Sequence, residues 1–261
     1  MNNHNIRRFS AKLGRDEIVI ETGRFAEQAG GAVTARIGDT LVFATATMSK
    51  NAREGIDFFP LSVDYEEKLY AAGRIPGSFF RREGRPSEGS ILISRVIDRP
   101  LRPLFPHDMR NEVQVILNPF SHDQEHHIDM LGIIAASAAL MISDIPWEGP
   151  VGAVRIGLIN GELVVNPTIS EMERSLLDLR VAGTAGAVNM IECGADEVPE
   201  ETMLKALKLA HDSFQPLIEL QKQMRAGIGK PKSSYITRNA SPEIVAAVVA
   251  RAQSQVRQII S

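Results

Sequence analysis

The chain holds one cysteine, Cys193, in 261 residues. No internal disulfide can form, and such usage fits a reducing compartment. The longest apolar run, Leu131 to Ile142, is too short to cross a bilayer and reads as a buried helix. The opening MNNHNIRRFSAKLG lacks the apolar core of a secretory signal, so the cytoplasm is the expected location and no membrane partner is expected. Neither an internal repeat nor a low-complexity tract is visible. Excess positive charge is missing too. A net charge of -3 and a pI near 6.1 exclude wholesale charge-driven binding to nucleic acid, so any such contact has to be local. What is present is ordinary for a globular chain: 44% hydrophobic residues suffice for a core in one large domain, or one domain with an appendage.

Lysine is absent from one stretch where positive charge is concentrated. Between Arg74 and Arg102 the chain has seven arginines and three acids, Glu83, Glu88 and Asp98, so this segment carries +4 and the remainder sums to -7. Arginine offers a planar fork of donors that matches phosphate oxygens and can stack on bases, whereas lysine supplies a mobile point charge. Phe79, Phe80, Arg81 and Arg82 lie between Pro76-Gly77-Ser78 and Gly84-Arg85-Pro86, which predicts a surface loop. Two exposed rings there suit base stacking, with the adjacent guanidinium groups on phosphates. The competing reading folds both rings into the core as a plug, but a plug does not account for the arginines. After Pro86 a helix is predicted with Ser87 as N-cap and Ile91, Leu92, Val96 and Ile97 as its buried stripe, ending at Pro100. Arg95 and Arg99 then share a helix face, with Arg102 just beyond it, so these groups could converge on one strand. The plainer alternative pairs Asp98 with Arg95 or Arg102 at the surface.

FFRREGRPSEG (79–89) followed by RVIDRPLRPLFP (95–106) resembles the signature of the first half of bacterial polynucleotide phosphorylases, the polyribonucleotide nucleotidyltransferases. FPLSVDYEEKLYAAGRIPGSF (59–79) and LDLRVAGTAGAVNMIE (177–192) resemble the same family, so the likeness runs over essentially the whole chain. The resemblance implies an RNase PH fold and a role in phosphorolytic 3'-to-5' RNA degradation of mRNA, in which inorganic phosphate as co-substrate releases nucleoside diphosphates. It also implies a homotrimeric ring, single-stranded RNA as ligand, other RNA-degradation proteins as further partners, and Mg2+ for the full enzyme. Family members continue into a second, catalytic half and two RNA-binding modules. Phe79, Phe80, Arg81 and Arg82 are then the RNA-gripping residues at the ring channel, with Arg85, Arg95, Arg99 and Arg102 behind them.

The rest of the sequence reads as α+β. Strands are expected near Ile18–Glu21, Ala32–Ile37, Thr40–Thr47, Leu61–Tyr65 and Val113–Leu117. A hairpin is expected around Asn160-Gly161 and a second between Leu179–Ala182 and Ala187–Glu192, with helices over Ile128–Met141 and Pro199–Met224. A Gly-, Pro- and Ser-containing linker begins at Gly227, so a core domain over 1–228 is expected, followed over 229–261 by the linker and a helix opened by Pro242. That helix carries apolar Ile244, Val245, Val248, Val249 and Val256, and in the family it begins an all-helical segment.

Other polar clusters are read conservatively. His122, His126 and His127 with Asp123 and Glu125 have metal-like spacing, but the plainer reading is an exposed approach to the Ile128 helix. Asp64, Glu66 and Glu67 read as a polar strand end, and Cys193 as a buried, inert thiol. In catalytic relatives of this fold a Gly-Ser/Thr-rich loop opens the central helix and holds phosphate, and acids on and before a later strand hold metal. Here Asp129-Met130-Leu131-Gly132-Ile133-Ile134 replaces the first, and Leu176 precedes Asp178 where the resemblance calls for a second acid. No catalytic residue and no metal site are therefore expected in this half. Two alternatives stay open: a self-sufficient RNase PH-type exoribonuclease and a non-enzymatic RNA-binding scaffold.

The loop reading has a direct consequence. Replacing Phe79 and Phe80 together with Ala should weaken single-stranded RNA binding and leave the melting temperature nearly unchanged, as for an exposed platform. A core plug would instead lose roughly 3–5 kcal/mol per ring, and a large fall in Tm measured by calorimetry would contradict the platform.

Overall fold

The computed structural model describes residues 6–78, 84–237 and 240–260. Two sheets enclose one core. The first has six strands, β1 (Arg7–Leu13), β2 (Asp16–Thr22), β3 (Gly31–Ile37), β4 (Thr40–Met48), β5 (Leu61–Tyr65) and β6 (Val113–Ser121), in the order β1-β2-β3-β4-β6-β5. All its pairings are antiparallel except β5 with β6. The second is antiparallel, in the order β10-β9-β7-β8, from β7 (Gly152–Ile159), β8 (Glu162–Val165), β9 (Leu177–Gly183) and β10 (Val188–Ala195). Helix α1 spans Glu88–Leu101, α2 Ile128–Ile142, α3 Ile169–Met172, α4 Glu200–Ile228 and α5 Pro242–Ile260. This is the expected α+β arrangement of mixed sheets with inserted helices. Among the described residues no helix is long and apolar enough to cross a membrane.

Helix α2 is the centre because its sequence has no polar face. From Asp129 to Ile142 every residue is buried, and a helix apolar all round must be surrounded. It packs on β3, β4 and β6 of one sheet and β7 of the other, with α1 and α4 alongside. Gly132 permits this at one point, since a Cβ there would lie 2.8 Å from Cδ1 of Ile97 on α1. Strand β7 is likewise buried along its whole length. It turns into β8 through Asn160 and Gly161, both at positive φ (52° and 82°), as a two-residue hairpin turn requires.

Several expectations about α1 are refined. Ser87 is the N-cap, its side chain accepting from Ser90 N–H at 3.1 Å. Val96 and Ile97 are buried, but Ile91 and Leu92 are 49% and 58% exposed. The buried face runs through Ser90, Ile93, Val96, Ile97, Pro100 and Leu101, with Ile97 against α2, and at about 100° per residue Ile91 and Leu92 fall on the other side of the helix, so half of the expected stripe is wrong. Pro100 sits inside the last turn, and the chain continues as a tight 3-10 turn over Arg102–Leu104.

Helix α4 ends at Ile228, yet the following segment remains fastened to the core. The Lys230 ammonium donates to the carbonyls of Ala29 (3.1 Å) and Gly30 (2.6 Å). Lys232 donates to those of Leu140 (3.0 Å), Met141 (3.4 Å) and Ser143 (2.8 Å), satisfying carbonyls that the C-terminus of α2 leaves open. Ser233 bonds Asp144 and Tyr235 bonds Asp108, each at 2.9 Å. Helix α5 has no buried residue, and Ile244, Val245, Val248, Val249 and Val256 are all exposed. Replacing Lys232 with Met keeps its stem but orphans the α2 carbonyls, so urea denaturation should show a loss of about 1–3 kcal/mol. An unchanged midpoint would mean that water caps the helix equally well.

Candidate nucleic-acid interface and the cleft beside it

Phe79, Phe80, Arg81 and Arg82 lie outside the described residues. The arginines behind them are placed on and around α1. Arg85 is exposed just ahead of the helix. Arg102 grips Asp98, one turn back, through two bonds of 2.9 and 2.8 Å and donates to the Leu61 carbonyl at 3.0 Å, tying α1 to β5. Arg99 reaches across to Glu192 on β10 at 3.2 Å. Arg95, exposed, makes no ion pair among the described residues and stands on the wall between two clefts. One, of about 410 Å³, is lined by Asp64, Ser94 and Arg102 among others. The other, of about 570 Å³, runs past Tyr65, Glu67, His127, Asp129, Arg180 and Glu192. The three arginines are therefore not gathered at one point, because Asp98 and Glu192 each draw one aside.

The floor of the larger cleft is a closed network of charge. Arg155, the one charged residue of β7, is 6% exposed. Its guanidinium lies 2.7 Å from Asp129, in the first turn of α2, and 3.3 Å from Asp178 on β9. Arg180, also on β9, lies 3.4 Å from Asp129, 3.2 Å from Asp178 and 2.8 Å from Glu192. Glu192 then meets Arg99. Three acids and three arginines from α1, α2, β7, β9 and β10 so neutralise one another.

This arrangement occupies both places at which the reaction that the sequence suggests makes its chemical demands. The positive end of α2 already faces the buried carboxylate of Asp129, which also accepts from Met130 N–H at 2.8 Å. A phosphate placed there would meet negative charge. Asp178, the expected remnant of a metal site, faces two guanidinium groups, and Leu176 is half-exposed and offers no oxygen ligand. Hard divalent cations need several free oxygens. Among the described residues no group of three or more His, Cys, Asp or Glu side chains could hold a metal ion, so the residues present do not fit Mg2+. Asp129, Arg155, Arg180 and Glu192 were not singled out from sequence for this role. The available signal was Arg155 itself, a lone charge in an otherwise apolar strand.

The other clusters resolve into structural roles. Glu125 is exposed as expected, but His122, Asp123, His126 and His127 are half-buried, because Asp123 knots the turn. Its carboxylate accepts from the N–H groups of Glu125 and His126 (2.9 Å each), the His126 ring (2.6 Å) and the Thr40 hydroxyl (2.8 Å). Burial raises its pKa, but these donors outweigh that and hold it well below the usual carboxylate range. Asp64, Glu66 and Glu67 diverge. Asp64 accepts from Ser62 and Gln114, Glu66 pairs with Lys68, and Glu67 accepts from Ser87. Cys193 is exposed, contrary to expectation, because β10 is an edge strand and buries Met190 instead. Its thiol pKa is pushed up by partial burial of the sulfur and by nearby Asp178, which keeps it protonated.

His127 completes the network by accepting from Arg155 at 2.7 Å through Nδ1. Burial first, then the charge of Arg155, lower its pKa to about 4, against opposing effects of Asp129 and Asp178. A histidine depressed on folding is neutral in the native state and charged in the unfolded chain between its two pKa values. Stability should therefore fall as pH drops from about 6.5 to about 4. His127→Gln, which retains an acceptor for Arg155, should remove on the order of 1–2 kcal/mol of that decline after allowance for solvent screening. Stability profiles of the two proteins that stay parallel through this window would contradict the assignment.

Comparison with known proteins agrees with the fold. Residues 16–146 match the 3' exoribonuclease family, domain 1, and residues 149–213 match domain 2 of that family. Proteins named polyribonucleotide nucleotidyltransferase are 52% identical over 92% of the chain in Heliobacterium modesticaldum and 57% identical over 87% in Chloroflexus aggregans. The chain covers 34% and 30% of those two relatives, about a third of their length. Among solved structures, rice (Oryza sativa) Rrp46 superposes with a TM-score of 0.63 at 14% identity, over 85% of this chain and 95% of that one. A chain of the Archaeoglobus fulgidus exosome with RNA bound to its active site gives 0.59 at 20% identity, over 80% of this chain and 88% of that one. At such identities these structures speak for the fold alone. The matches to both domains and to the curated relatives establish that this chain belongs to the 3' exoribonuclease (RNase PH) family, among relatives named polyribonucleotide nucleotidyltransferase.

Proposed function

We propose that this chain is the RNA-guiding, non-catalytic half of a phosphorolytic 3'-to-5' exoribonuclease that degrades mRNA in the cytoplasm. In that reaction an oxygen of inorganic phosphate attacks the phosphorus of the last phosphodiester. The bond to the 3' oxygen of the preceding nucleotide breaks, a nucleoside diphosphate leaves, and the shortened RNA keeps a 3' hydroxyl. The steps need an anion site and charge neutralisation at the moving phosphoryl group. The observation that carries a non-catalytic role is that Asp178 and the α2 N-terminus, where both would have to lie, are already matched by Arg155, Arg180 and Asp129. Mg2+ and the phosphate site then belong to the remainder of a protein about three times as long.

RNA contact falls to the arginine-rich segment. Phe79 and Phe80 stack bases and Arg81 and Arg82 hold phosphates, with Arg85 and Arg95 extending the path. Arg99 and Arg102 contribute less, since each already faces an acid. A homotrimeric ring places three such segments around one channel, and other RNA-degradation proteins join as partners. A core over residues 1–228 and the start of a helical segment over 229–261 complete this reading.

With Mg2+, phosphate and a 3'-hydroxyl RNA, the purified chain should release no nucleoside diphosphate above background by chromatography while still binding RNA. Arg81→Gln with Arg82→Gln should weaken that binding equally for unrelated sequences and lower its salt slope by about 0.7 per lost phosphate contact. Turnover by the wild-type chain that Asp178→Asn abolishes would establish the self-sufficient exoribonuclease instead. Binding without turnover in the full-length protein would favour a scaffold.

A further inference from the structure

We infer that the cleft between β5 and α1 is a nucleobase subsite, in which one nucleotide of a bound RNA strand lays the edge of its base against the backbone of Val63 and its phosphate against Arg95. The inference deepens the proposed function and rests on its claim that RNA runs along the arginine-rich segment.

Strand β5 lies at the edge of its sheet and pairs, in parallel, with β6 alone. The ladder is fixed at both ends: the Val113 N–H donates to the Pro60 carbonyl and the Glu66 N–H to that of Leu117. Residues between these points must alternate, so Ser62 and Asp64 turn their N–H and C=O groups to β6, and Leu61, Val63 and Tyr65 turn theirs to the free edge. Helix α1 runs along that edge and bonds to it on either side of Val63. The Arg102 guanidinium donates to the Leu61 carbonyl at 3.0 Å, and the Tyr65 N–H donates to Ser94 Oγ at 3.0 Å. Val63, between them, keeps an N–H and a C=O that meet no partner among the described residues. It lines the cleft of about 410 Å³, a size within the range of ligand sites.

The opposite wall is one face of α1 and its continuation, Ile91, Ser94, Arg95, Asp98 and Arg102, spaced as neighbours on a helix are. The acids of the cleft are already answered: Asp98 by Arg102, Asp64 by Ser62 and Gln114, and Glu66 by Lys68. What stays unanswered is the exposed cation of Arg95, the donor and acceptor of Val63, and the apolar surface of Ile91 and Pro86. A ligand that satisfies all three has an anion, a flat apolar body and a donor beside an acceptor on its edge, which describes a nucleotide. Every base carries such a pair on its Watson–Crick edge, so the site senses a base without choosing among bases. Pro86 follows Arg82 by four residues, so a strand held at Arg82 passes within about 14 Å of this cleft.

The test follows the Val63 backbone amide by nitrogen-15 NMR while uridine 5'-monophosphate or adenosine 5'-monophosphate is added, with ribose 5-phosphate as the probe that carries the anion and no base. Both nucleotides should shift the Val63 signal saturably, with affinities within about threefold of each other, and ribose 5-phosphate should leave it in place. Val63→Pro removes the outward N–H, a change an edge strand tolerates, and should weaken nucleotide binding roughly three- to tenfold. Unchanged affinity in that variant overturns the inference. If the variant does not fold, the wild-type titration decides: a Val63 signal unmoved by both nucleotides, or moved equally by ribose 5-phosphate, overturns it. An acidic tripeptide that moves the signal when the nucleotides do not would assign the cleft to a peptide and overturn it too. Binding of single-stranded RNA to the same chain separates the two failures. RNA bound with Val63 silent sinks the subsite and leaves the RNA-guiding role standing, whereas a chain that binds no RNA overturns both.

Discussion

A guanidinium group buried in the middle of β7 sets the terms for the rest of this structure. An unpaired charge at Arg155 would cost several kcal/mol in desolvation, so carboxylates must reach it from neighbouring elements. Asp129 comes from the first turn of α2, and Asp178 from the strand paired with β7. Meeting both fixes how the central helix abuts the second sheet. Arg180, Glu192 and Arg99 extend the requirement to β10 and α1. Breaking a buried network by removing one partner typically costs about 3–5 kcal/mol, because the partner left behind remains buried and charged.

The same interaction separates fold from chemistry. Phosphorolysis, the proposed reaction, asks for a helix terminus open to phosphate and for carboxylates free to hold a cation. In this chain the network takes up both. What it leaves available is the rim, where Arg95 stands exposed and makes no ion pair among the described residues. Binding RNA at the rim without cutting it in the cleft is a consistent division of labour for a chain about a third as long as its relatives.

Much of the fold was legible because local rules and burial agree in it. Asn160-Gly161 forms the expected turn, the apolar run after Ile128 is the central helix, and Ser87 caps α1. Other features depend on what covers a residue, which periodicity does not encode. Strand β1 escaped notice because Arg7, Arg8 and Lys12 are exposed at a sheet edge, with Phe9 and Ala11 only partly covered between them. Ile91 and Leu92 lie on the side of α1 turned away from the core, and Cys193 faces solvent from an edge strand of the second sheet. Segment 229–235 lacks periodicity as a linker should, yet its lysines dock on carbonyls whose openness only the folded helix defines. The network was the least legible feature. Its members are scattered from Arg99 to Glu192, and only the lone arginine of β7 marks it in sequence.

The central claim, that arginine and not metal neutralises Asp129 and Asp178, can be tested on the unmodified chain. Nitrogen-15 spectra that resolve the Nε–H groups of Arg155 and Arg180 report directly on both guanidinium groups, and bound Mn2+ erases signals from nuclei close to it. The account predicts two slowly exchanging Nε–H signals that persist when Mn2+ is added in stoichiometric amounts. Their selective disappearance at one equivalent would show a cation seated among these carboxylates and contradict it.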